Sequence, residues 1–125
     1  MSTKAASVLF VVAALYDGLL GLAFLAAPAA VFEWAAVTPP NHLGYVHFPA
    51  ALLIIFAMMF AAIARRPREK RDLIPFGILL KVSYCGVAGY HWIVAGIPNM
   101  WKPFVAIDLA FLVLFAIAHR SLGRT

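Results

Sequence analysis

Four long apolar stretches, at residues 5–27, 43–64, 73–97 and 101–119, constrain this chain more than any other feature. A bilayer core about 30 Å thick takes about 20 helical residues to cross. Only helices and closed barrels satisfy their backbone groups in lipid, and continuous runs of this length mean helices. The spacing predicts an all-α membrane protein, a single antiparallel four-helix transmembrane bundle with both termini cytoplasmic. Composition narrows the class further. The 125 residues are 65% apolar and 12% charged, whereas soluble domains sit near 45–50% and about 25%. That removes a soluble globular domain, disorder and a disulfide scaffold from consideration.

The breaks between the runs are turn-forming. Pro28, Pro39 and Pro40 bracket the first connection, Pro67 sits in the second, and Pro98 with Asn99 makes a tight third. Residues 31–36 read as a short interfacial segment with Trp34 at headgroup level. The first run is longer than a signal-peptide core and contains Asp17, so it reads as a retained helix.

Net charge is +5 with histidine neutral. The positive charges flank the apolar runs, as membrane topology requires, rather than forming a nucleic-acid surface. Lys4, Arg65, Arg66, Arg68, Lys70, Arg71, Arg120 and Arg124 fall on one side, and Lys102 on the other. The side carrying the eight is expected to be cytoplasmic. The basic loop at residues 65–72 also has the character of an anionic-lipid contact. Cys85 has no cysteine to pair with in the chain.

Three charges lie within the runs: Asp17, Lys81 and Asp108. A charge at the bilayer centre costs at least about 2.5–3.5 kcal/mol, so each needs a partner or a purpose. A rise of about 1.5 Å per residue puts Asp17 and Asp108 at similar depth below the outer edge, roughly 10–15 Å in. It puts Lys81 slightly to the cytoplasmic side of centre. Asp17 shares a helical stripe with Ala14, Gly18 and Gly21, small residues that permit close helix approach. Lys81, Tyr84, Cys85, Ala88, His91 and Trp92 share another. His47 lies over Ala50, Ala51 and Ile54, and Asp108 neighbours Phe104, Phe111, Leu112 and Phe115. These placements predict an outer-half pocket of Asp17, His47, Tyr84, His91 and Asp108 with Lys81 beneath, ringed by Tyr16, Tyr45, Tyr90, Trp92 and Trp101.

Each group also has a plain structural role. Asp17 and Lys81 read equally as an internal ion pair that fixes helix packing. Asp108 reads as a partner of Tyr84 or a histidine, and the aromatic residues as an interfacial belt. The sharper readings are three. The pocket takes a small lipophilic ligand such as a quinone, a sterol-like lipid or an isoprenoid. His47 and His91 hold a haem or a metal. Asp17 and Asp108 act as an acid/base pair in proton transfer. Metalloprotease, phosphate-loop, dinucleotide and paired-cysteine motifs do not occur in the sequence. A channel or transporter would need an oligomer.

Residues 15–25 (LYDGLLGLAFL), 28–34 (PAAVFEW), 39–49 (PPNHLGYVHFP), 76–81 (FGILLK) and 108–115 (DLAFLVLF) together resemble bacterial DoxX-like four-helix membrane proteins over nearly the whole chain. The resemblance implies four helices, cytoplasmic termini and a bacterial inner membrane. The wider family includes membrane subunits of a thiosulfate:quinone oxidoreductase, which implies a quinone as a ligand to consider. Its third-helix lysine and fourth-helix acid correspond to Lys81 and Asp108. With one cysteine, direct sulfur redox chemistry is not implied. Two functions are therefore expected to compete. One is a non-catalytic accessory subunit touching lipid and other membrane subunits or further copies of itself. The other is a binder or converter of a lipophilic molecule.

Overall fold

The computed structural model describes residues 1–123, so Arg124 of the basic set lies outside the described residues. Every regular element in it is helical: α1 (Thr3–Ala26), α2 (Pro28–Trp34), α3 (Gly44–Arg65), a 3₁₀ turn (Arg71–Leu73), α4 (Ile74–Val94) and α5 (Lys102–Leu122). Among the described residues four spans are long and apolar enough to cross a membrane: α1, α3, α4 with its leading turn, and α5.

Local chemistry sets the helix ends. The Ser2 side chain accepts from the Ala5 amide at 3.0 Å, capping α1. Prolines open α2, α4 and α5 in the first turn, where a missing N–H costs nothing. Pro49 lies inside α3, where it withholds one backbone donor from the preceding turn. The third run stops as a helix at Val94, short of the expected residue 97. Gly96 takes φ +78°, a left-handed conformation that ends the helix, and Pro98 follows. The fourth continues to Leu122. The segment expected at residues 31–36 overlaps α2, which ends at Trp34; α2 packs Phe32 against Phe24 of α1 and leaves Trp34 exposed.

The helices pack as two close pairs, α1 with α3 and α4 with α5. Small residues form the α1–α3 seam. A Cβ added at Gly18 would lie 3.4 Å from the Ala57 Cβ, and one at Gly21 only 2.8 Å from the Ala50 carbonyl oxygen. The pairs join through an aromatic knot. Phe10 of α1 stacks on Phe115 of α5 at 4.8 Å between ring centroids, and Phe60 of α3 lies 5.2 Å from Phe115. Gly77 brings α4 against the same knot, since a Cβ there would meet the Phe60 ring at 2.7 Å.

The basic ends are tied together. The N-terminal ammonium donates to Ser121 Oγ at 3.1 Å, Arg71 Nε to the His119 carbonyl at 2.7 Å, and Arg68 Nη1 to the Leu122 carbonyl at 3.4 Å. Two arginines of the loop thus satisfy carbonyls that the last turn of α5 would leave orphaned. Most side chains buried in the spans lie between this end and mid-bundle. Beyond it, the spans bury only Gly21, Ala50 and Ala88.

Candidate functional site

Three helices each bury one charged residue at the same level. On α1, Asp17 continues the inward stripe of Phe10, Ala13 and Gly21. On α4, Lys81 lies one turn beyond Gly77. On α5, Asp108 begins the stripe that continues through Phe111 and Phe115. The spacing of three and four residues places every one of them toward the other helices.

The Lys81 ammonium sits between the two acids. It donates to both oxygens of Asp17, at 3.0 Å each, and to Asp108 Oδ1 at 3.1 Å. An ammonium has three protons, and here each has an acceptor. Asp17 and Lys81 are 1% exposed and Asp108 is 7% exposed, so water contributes little to their charges. Aromatic faces complete the enclosure, with Nζ 5.2 Å from the Phe111 ring centroid, 5.4 Å from Tyr16 and 5.9 Å from Phe60. Cation–π attraction is strongest in such desolvated settings. The Tyr16 hydroxyl, buried beside the cluster, has no hydrogen-bond partner among the described residues. With all three groups ionised, two carboxylates against one ammonium leave a formal charge of −1.

The structure separates the residues grouped from sequence. Asp17, Lys81 and Asp108 form the closed cluster. Tyr84 and His91 instead line an open apolar cleft of about 270 Å³, shared with Val87, Ala88, Ile97, Pro98 and Trp101. Tyr84 does not bond Asp108. Its hydroxyl donates to the Trp101 carbonyl at 3.1 Å, and its ring stacks on Trp101. The Cys85 thiol donates to the Val105 carbonyl at 3.7 Å. His91 is exposed on α4, and His47 is half-buried near the start of α3. Among the described residues no group of three or more His, Cys, Asp or Glu is placed to hold a metal ion.

Of the aromatic residues expected to ring the pocket, Tyr16 alone faces the ion cluster; Tyr45, Tyr90, Trp92 and Trp101 are surface residues. The physical cause of the separation is the lysine. Its stem and ammonium occupy the space between the two acids, and Phe60, Phe111 and Tyr16 close the sides. The cleft opens about one turn further along α4, where that helix and α5 bury little against each other.

Sequence reasoning did not find the Phe10–Phe60–Phe115 knot or the Arg71 and Arg68 caps. The caps had a signal: arginines just before α4 lie at the same depth as the last carbonyls of α5. Comparisons with protein-family models, with curated proteins and with solved structures found no match for the chain.

Proposed function

We propose that this chain is a non-catalytic structural or accessory subunit of a larger membrane assembly, built as an antiparallel bundle with both termini cytoplasmic. One observation carries the reading: the Lys81 ammonium is fully engaged by Asp17 and Asp108 inside a closed aromatic shell. A lysine held this way acts as a register lock among three helices rather than as a reagent. The wide apolar exterior supports the same reading, because most of each span faces outward and needs lipid or other helices against it. The resemblance to DoxX-like proteins and to quinone-linked membrane subunits is in keeping with it, and so is a bacterial inner membrane.

The contacts support the antiparallel arrangement. Phe10 meets Phe60 while Gly21 meets Ala50, so numbering along α1 and α3 runs in opposite senses. The lysine and arginine distribution supports cytoplasmic termini. Membrane-impermeant thiol labelling of single cysteines at positions 2, 69 and 99, in a Cys85→Ser background, is expected to mark only position 99 from outside. Labelling of position 2 or 69 overturns the orientation.

The second reading rests on the cleft at Tyr84, His91 and Trp101. An apolar trough with two polar side chains fits the ring of a small lipophilic molecule such as a quinone. Native mass spectrometry on protein gently extracted from its own membrane separates the two. Protein chains in fixed stoichiometry with this one support the subunit. A small-molecule mass that disappears with Tyr84→Phe and His91→Ala supports the ligand and overturns it. An absorbance spectrum of the same sample tests haem at His47 and His91.

A further inference from the structure

A second cleft, of about 340 Å³, runs between α1 and α3 near the basic end, lined by Val11, Ala14, Leu15, Ala61, Ala64 and Arg65. Three alanines form its floor and rim, so the two helices leave a trough rather than a filled seam. Its sides are wholly aliphatic until Arg65, the last residue of α3, which carries the one charge in the lining.

Lys4 lies on the same α1 stripe, seven residues before Val11, or about 10 Å along the helix axis toward the basic end. The mouth of the trough is therefore flanked by a cation from each helix. Both Lys4 and Arg65 are exposed, and neither has an ion-pair partner among the described residues. Their neighbours in sequence are otherwise engaged: Arg66 pairs with Glu69 at 3.2 Å, and Arg71 caps α5.

We propose that this trough holds an acyl chain of an anionic phospholipid whose phosphate sits between Arg65 and Lys4. The apolar walls take the methylenes and the two cations take the headgroup, matching the order in which a lipid presents them at a membrane surface. The site shares no lining residue with the ion cluster or with the Tyr84–His91 cleft, and it is independent of either reading of function. It requires only that α1 and α3 face lipid.

The test titrates dioleoylphosphatidylglycerol and dioleoylphosphatidylcholine into detergent-solubilised protein and counts bound lipids by native mass spectrometry. The expected result is one phosphatidylglycerol retained in preference to phosphatidylcholine. Each charge near a membrane surface contributes about 1 kcal/mol, or about a fivefold change in affinity. Arg65→Gln should therefore weaken phosphatidylglycerol about fivefold, and Arg65→Gln with Lys4→Gln should abolish the preference. Ala61→Phe, at an exposed position, should block the trough without lowering thermal stability. Lys70→Gln and Arg120→Gln, which alter basic residues outside the trough, should cost clearly less than Arg65→Gln. Inorganic phosphate should not compete, since it lacks the chain. Equal binding of the two lipids overturns the proposal, as does an equal loss from Lys70→Gln, displacement by inorganic phosphate, or a stable Ala61→Phe variant that still retains the lipid.

Discussion

Lys81→Met is the substitution that tests the ion cluster most directly. Methionine keeps an unbranched stem of similar length, so little cavity is left, and the change isolates the ammonium. That ammonium makes contacts of 3.0, 3.0 and 3.1 Å to two buried carboxylates. Hydrogen bonds to charged groups contribute about 1.5–3 kcal/mol each. Two of the three share one carboxylate and such contacts do not add, so about 3–5 kcal/mol, the cost of breaking a buried pair, is the expected loss. The two acids then differ. Asp17→Asn disturbs two of the three contacts and leaves the lysine with Asp108 alone. Asp108→Asn disturbs one and leaves a neutral Lys81–Asp17 pair, so it should cost less, on the order of 1 kcal/mol. Asp17→Asn with Lys81→Met should recover part of the Lys81→Met loss, with a coupling of at least about 1 kcal/mol. Replacing all three by apolar residues, as Asp17→Leu, Lys81→Met and Asp108→Leu, removes the desolvation penalty with the charges. It should return to within about 1 kcal/mol of the parent or exceed it. Reversible unfolding by dodecyl sulfate in mixed micelles, followed by circular dichroism, measures each value. A Lys81→Met loss below about 1 kcal/mol, or a triple variant as unstable as the sum of its singles, refutes the register lock. A stable triple variant that no longer joins the proposed assembly would show the charges acting in function rather than packing.

Two further outcomes follow from the packing. Gly21→Ala sets a Cβ 2.8 Å from the Ala50 carbonyl, which is backbone and cannot swing aside, so α1 and α3 should part at a cost of about 1–3 kcal/mol; Gly18→Ala meets only the Ala57 Cβ at 3.4 Å and should be neutral or stabilising in the same unfolding assay. Arg71→Gln removes the 2.7 Å bond to the His119 carbonyl and should speed amide hydrogen exchange in the last turn of α5 while the Phe10–Phe60–Phe115 knot stays protected; Arg120→Gln should change neither.

The spans were legible because lipid demands long apolar runs, whatever packs inside them. Which way each helix faces was legible mainly where charge marked it. Asp17, Lys81 and Asp108 cannot face hydrocarbon, so their positions identified the inner stripes of α1, α4 and α5, and helical rise put the acids in one layer. Apolar residues carry no such mark. Phe60 is fully buried and Phe48 is 67% exposed on the same helix, yet hydrocarbon accepts a phenyl ring as readily as a protein core does. The aromatic knot therefore had no signature. The grouping of His47, Tyr84 and His91 with the acids came from depth and from the helical stripe each residue shares. Depth does not say how far apart two helices stand, and beyond the ion cluster Ala88 is the one residue that α4 and α5 bury fully.

The basic loop shows the same limit from the charged side. A count of arginines gives an orientation because every positive charge contributes alike to that rule. Once the chain is folded they stop being alike. Arg71 and Arg68 are drawn to the carbonyl end of α5, Arg66 is paired with Glu69, and Arg65 is left at the mouth of an aliphatic trough. The difference arises from where each guanidinium falls relative to a helix end, which depends on how α3, α4 and α5 are brought together. The aromatic knot and the ion cluster fix that arrangement. Loosening the cluster should therefore be felt 15 to 20 Å away, about 11 residues along α5 at 1.5 Å each, as weaker protection of the carbonyl cap at His119. Faster exchange at the α5 terminus in Lys81→Met, absent in Asp108→Asn, would establish that the interior charges set the geometry of the basic end; identical exchange in both would leave the two regions energetically independent.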